Sequence, residues 1–96
     1  MKTVVVCGIK FKMILHRDGI LGTQNCYTNE SFPRVSVYLI NIGVTYRADL
    51  FIIANKYSAD GAITGRGETP RKAISQLNRL CQDLKMELEH HKEPTT

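Results

Sequence analysis

The stretch GAITGRGETPRKAISQLNRLCQDLKMELEH, residues 61–90, decides the fold, because the hydrophobic period changes within it from that of a strand to that of a helix. Thr69-Pro70 marks the change. The Thr69 hydroxyl can accept from the free amide of the second or third helical residue, and a proline at the first helical position loses no hydrogen bond. Beyond it Ala73, Ile74, Leu77, Leu80, Cys81, Leu84 and Leu88 recur at spacings of three and four, one apolar stripe that must lie against a sheet. The helix is expected to run to about His90. Arg79 with Asp83, and Lys85 with Glu89, stand at i,i+4 on its opposite face, each worth ~0.3 kcal/mol.

Upstream the period is two. From Val5 to Leu15 the odd positions are apolar (Val5, Cys7, Ile9, Phe11, Met13, Leu15) and Gly8, Lys10 and Lys12 lie between them, which predicts one strand. Asp18-Gly19 supplies a tight turn, with a return strand from Ile20 to Tyr27, and Thr28 to Pro33 reads as a surface loop. Val35 to Ile42 and Val44 to Tyr57 are the richest β segments, Ser58 to Gly61 a turn, and Ala62 to Thr64 a short last strand. The expected fold class is α+β: an antiparallel sheet of four or five strands in a meander, packed on one long C-terminal helix. Residues 1–92 form a single domain and 93–96 a frayed tail. Val5, Ile9, Phe11 and Met13 are expected to face Leu77, Leu80 and Leu84.

Composition agrees. The chain has 96 residues, 43% hydrophobic and 23% charged, enough for one small core and too few for a second catalytic lobe. Its formal charge of +4 leans toward a polyanionic partner and excludes an acidic mimic of nucleic acid. Cys7, Cys26 and Cys81 make no C-x-x-C pair and their odd count closes no disulfide framework, so a reduced, cytoplasmic setting is expected. Val4 to Ile9 is short for a signal peptide, and Asn41, Arg47 and Asp49 interrupt the longest apolar stretch, Val35 to Ile53, so no membrane span is expected.

The candidate functional segment is Gly65 to Ala73, a glycine-rich turn feeding a helix start whose backbone amides are free to meet an anion. The expected anion- or partner-binding residues are Gly65, Arg66, Gly67, Thr69, Arg71, Lys72 and Arg79. Glycine at 65 and 67 permits backbone conformations closed to other residues. The charges run against the helix dipole: Arg66, Arg71, Lys72 and Arg79 crowd the beginning while Asp83, Glu87 and Glu89 load the end, an order that suits a bound phosphate.

Gly65-x-Gly67-x-Thr69-x-Arg71-x-Ala73 resembles the G-x-G-x-S-K-K-x-A-K signature of double-stranded-RNA-binding domains, in which three strands lead into a long helix. The resemblance covers about residues 35–90 and implies phosphate contacts from Arg71 and Lys72; Pro70 and Ile74 stand where that family has lysine. A second resemblance, on Gly61-Ala62-Ile63-Thr64, Gly67-Glu68-Thr69 and Ala73, is to HicB-type antitoxins, and implies neutralisation of a small RNase partner.

Catalytic signals are few. His16, His90 and His91 have no metal spacing, Cys26 with His16 lacks a third orienting group, and Asp49 and Asp60 have no reason to converge. Tyr38 shares a parity with Ile40 and Ile42, and Tyr46 with Leu50 and Ile52, so both sets read as partly core-facing. One helix covers one sheet face, which leaves the other for a protein partner or a second copy. The expected function is a small non-enzymatic regulatory protein that needs no cofactor and docks on a nucleic-acid-processing enzyme, as a phage-type modulator or antitoxin-like inhibitor. Direct nucleic-acid binding through the basic helix start is the alternative.

Overall fold

The computed structural model describes residues 2–19, 22–55 and 58–82. Its strands are β1 (Thr3–Val6), β2 (Ile9–Gly19), β3 (Gly22–Thr28), β4 (Val35–Ile42), β5 (Thr45–Asn55) and β6 (Ser58–Gly67), followed by α1 (Pro70–Leu80). All six strands form one antiparallel meander in sequence order. The fold class is therefore α+β, with six strands where four or five were expected.

The additional strand comes from the N-terminal run. Cys7 and Gly8 both have positive φ, 54° and 76°, the pairing that lets a two-residue turn follow the natural twist of a hairpin. The run expected as one strand is thus folded back on itself, with Val6 facing Ile9 and Val4 facing Phe11. This inverts the parity of β1: Val4 and Val6 are buried, and Val5 is 52% exposed. A bulge between Met13 and Leu15 shifts the register again, so Phe11 is buried while Ile14 and Leu15 are exposed. Two expected turns also move. Asp18 and Gly19 still belong to β2, with Gly19 opposite Gly22. Ser58 to Gly61 lies within β6, whose pairing with β5 slips at Ile52/Ile53 and Ile53/Asn55.

The helix begins as the sequence indicates, with Thr69 extended and its hydroxyl accepting from the Lys72 amide at 3.2 Å. It ends earlier, at Leu80, with Cys81 as its cap. Ala73, Ile74, Leu77 and Cys81 are buried, whereas Leu80 is 52% exposed and leaves the stripe. The expectations for residues 83–96, including Leu84, Leu88, the acids of the helix end, His90, His91 and the tail, lie outside the described residues. Among those described, no helix is long and apolar enough to cross a membrane.

The inner sheet face supplies Val4, Val6, Phe11, Tyr27, Val35, Val37, Leu39, Ala48, Leu50 and Ile52 to a core closed by the helix. The sheet curls into a half-barrel, and α1 packs against β6, β5 and β1, so it fills the gap between the two sheet edges. Its amides cap both edges. The Met13 amide donates to the Lys2 carbonyl, and the antiparallel alternation that follows from it turns the polar groups of Val5 away from β2. Asn78 meets this edge: its Nδ2 donates to the Val5 carbonyl at 2.9 Å and its Oδ1 accepts from the Cys7 amide at 2.8 Å. On the other edge the Arg66 amide donates to Gln76 Oε1. One helix therefore satisfies backbone groups on both outer strands, two at β1 and its turn and one at β6.

Candidate functional site

Strand alternation and register place a grid of side chains on the sheet face turned away from the helix. One cross-sheet row runs Lys12, Thr28, Ser36, Phe51, Ala62. The next runs Leu15, Cys26, Tyr38, Asp49, Thr64, and the third Arg17, Gln24, Ile40, Arg47, Arg66. Lys10, opposite Val5, extends the basic side of β2. Lys10, Lys12, Arg17 and Arg66 are exposed, and Arg47 is half-buried.

Within these three rows the one acid is Asp49, and it is 3% exposed. Arg47 Nε donates to Asp49 Oδ2 at 3.1 Å and Thr64 Oγ1 donates to Asp49 Oδ1 at 2.7 Å, so both carboxylate oxygens are engaged within the sheet. A buried carboxylate needs such partners. Arg47 and Arg66 nevertheless stand directly opposite on β5 and β6, where like charges repel at about 5 Å between Cβ atoms. Arg66 has no ion pair among the described residues. Tyr38 and Phe51 meet edge to face at the centre of the grid, ring centroids 5.4 Å apart. Contact with the Cys26 thiol, and behind it burial, raise the Tyr38 phenol above its ordinary range, so it remains a neutral hydroxyl. Of the two aromatic parities, the one holding Tyr38 and Ile40 belongs to this outer face, and the one holding Tyr46, Leu50 and Ile52 belongs to the core.

The residues expected at the helix start are divided by the sheet. Gly65 and Gly67 lie in β6, neither with positive φ. Their role is steric: a Cβ at Gly65 would stand 2.6 Å from the Ala73 carbonyl oxygen, and one at Gly67 2.6 Å from the Ala73 nitrogen. Because these glycines face the helix, Arg66 between them projects to the outer face. Thr69 is occupied as the cap. Arg71 is exposed on the helix, and Lys72 Nζ lies 3.7 Å from Glu68 Oε2. Arg79 falls in the last turn, where a cation favours the dipole, and lies about 12 Å along the axis from Arg71. The structure thus sets Arg66 directly beside Arg47, with Arg17 at the far end of the same row beyond Ile40 and Gln24, and leaves Arg71, Lys72 and Arg79 on the helix.

Other pairings fall apart for the same reason. His16 is opposite Asn25 and Cys26 opposite Leu15, so the imidazole and the Cys26 thiol leave opposite faces of the sheet. His16 is instead held by Asn25 Oδ1 at Nδ1 and by Asp18 at Nε2, 3.2 Å away. Comparison with protein-family models, with curated proteins and with solved structures gives no match to this chain.

Proposed function

We propose that the protein is a non-enzymatic nucleic-acid-binding module that lays a phosphate backbone across its outer sheet face, along the row of Arg17, Arg47 and Arg66, with Lys10 and Lys12 beside it. The observation that carries this reading is the Arg47–Arg66 pair, two like charges in register on neighbouring strands, beside the carboxylate of Asp49 that Arg47 already engages. Such a pair costs on the order of a few tenths of a kcal/mol, which an anion on the Arg66 guanidinium would relieve, and that planar group can hold a phosphate in a bidentate contact. The Arg66 patch foreseen at the helix start is retained, with its neighbours supplied by strands. Titration of labelled single-stranded and duplex oligonucleotides at low salt tests it. Binding that weakens with salt and falls at least about tenfold, ~1.4 kcal/mol, in Arg17→Gln/Arg66→Gln supports the reading. Absence of binding to either form at low salt refutes it.

A second reading, docking on a nucleic-acid-processing enzyme, is favoured by Leu15 and Ile42, 41% and 48% exposed on the same face. Apolar exposure beside arginine is characteristic of protein interfaces. Under that reading Leu15→Ser and Ile42→Ser abolish partner capture while oligonucleotide titrations show no binding.

A further inference from the structure

The hairpin turn that divides the N-terminal run carries a cysteine where asparagine, aspartate or glycine is the usual choice, since only those residues adopt positive φ readily. That cysteine meets the end of the helix. Cys7 Sγ donates to the Cys81 carbonyl oxygen at 3.2 Å, and the Cys7 amide donates to Asn78 one turn earlier. The sulfur of Cys7 is therefore fixed against the residue that carries the second thiol, across the seam where β1 meets α1.

We propose that Cys7 and Cys81 are a dithiol site that closes to an intramolecular disulfide, locking the first hairpin to the end of the helix. Cys7 is half-buried and Cys81 fully buried, so a small oxidant reaches Cys7 first. Burial, and after it the neighbouring Cys7 thiol, push Cys81 up to about 12, which leaves the opening step to Cys7. With a peroxide as oxidant, the Cys7 thiolate attacks one peroxide oxygen. The O–O bond breaks, and the products are a Cys7 sulfenic acid and, after protonation of the leaving oxygen, water. The Cys81 sulfur then attacks the Cys7 sulfur, its proton passes to the departing hydroxide, and a second water leaves as the S–S bond forms. Two thiols are oxidised by two electrons and one peroxide is reduced to two waters. Cys26 takes no part, because it lies on the outer face beside Tyr38 and Leu15.

The test treats the reduced protein with one equivalent of hydrogen peroxide, alkylates remaining thiols in denaturant and maps the peptides by mass. The expected product joins the Cys7 and Cys81 peptides within one chain, leaves Cys26 alkylated, and reverts with a thiol reductant. Because the bridge closes most of the chain into a loop, Tm should rise by about 10 °C or more on oxidation. Cys7→Ser should abolish the rise, and Cys26→Ser should retain it. Cys81 recovered as an alkylated thiol after Cys7 has been oxidised, a link through Cys26 or between chains, or a bridged protein with unchanged Tm would each overturn the proposal.

Discussion

A Cβ built at Gly65 would stand 2.4 Å from the Leu77 nitrogen and 2.8 Å from its Cα, atoms that cannot move unless the helix moves. Gly65→Ala is therefore expected to destabilise by about 2 to 3 kcal/mol, read from the urea midpoint. Gly43 gives the contrasting case. It has open space around the missing Cβ but a φ of 64°, so Gly43→Ala should cost about 1 to 2 kcal/mol through backbone strain alone, and Gly43→Asn less. Sequence can suggest only the conformational reason, and so assigns it to Gly65 and Gly67, because the steric one, a helix passing overhead, exists only after folding. His16 carries a pH expectation. The hydrogen bond to Asn25 and then the charge of Asp18 raise its pKa above 6.5, since both ring nitrogens find acceptors only in the protonated form. The raised value means that its contribution to stability is present below the unfolded pKa and is lost as pH rises through the folded one. The NMR titration midpoint of His16 should lie above 6.5 and fall toward it in Asn25→Ala.

Among the elements, α1 has two separable tasks, filling the half-barrel and capping its edges. Leu77 is fully buried and Leu80 is 52% exposed, so Leu77→Ala should cost about 2 to 5 kcal/mol and Leu80→Ala less than about 1 kcal/mol. An equal effect at both would place the helix on a different face. Asn78→Ala leaves the Val5 carbonyl and the Cys7 amide without their partner, and should lower stability by about 1 to 3 kcal/mol with faster hydrogen exchange at the Cys7 amide. An uncapped β1 is also an open strand edge, so the same variant should self-associate at high concentration, visible by light scattering. The helix start is legible because Thr69 and Pro70 act locally, and β4 is legible because Pro33 and Gly43 bracket an unbroken β-rich run. The first hairpin is not: with Val4, Val5 and Val6 all apolar, either parity fits, and Cys7-Gly8 lacks the asparagine or aspartate that usually announces such a turn.

For the molecule as a whole the decisive property is where the net charge of +4 resides. Read along the chain, Arg66, Arg71, Lys72 and Arg79 form the cationic cluster, whereas register sets Arg17, Arg47 and Arg66 from three strands in one row. Register is a tertiary property, so sequence can single out Arg66 as a candidate but not the strand residues that stand beside it. Arg47 is committed to Asp49, which leaves Lys10, Lys12, Arg17 and Arg66 as the cations available to phosphate on this face. Counterion release then sets the salt dependence. If three or four phosphates are neutralised on a single strand, log K should fall against log salt with a slope of about −2 to −3. Removing Arg17 and Arg66 together should reduce that slope by about 1.4, because each lost phosphate contact contributes about 0.7. Folding stability should stay unchanged or rise slightly in the same variant, since Arg66→Gln relieves the repulsion of Arg47 across the β5–β6 pair. The paired measurement separates the two roles an arginine row could have. A variant that keeps the full salt slope locates the phosphate elsewhere, with Arg71 and Lys72 on the helix next to be replaced. One that loses stability together with binding shows that the row holds the sheet together and is not kept exposed for a ligand.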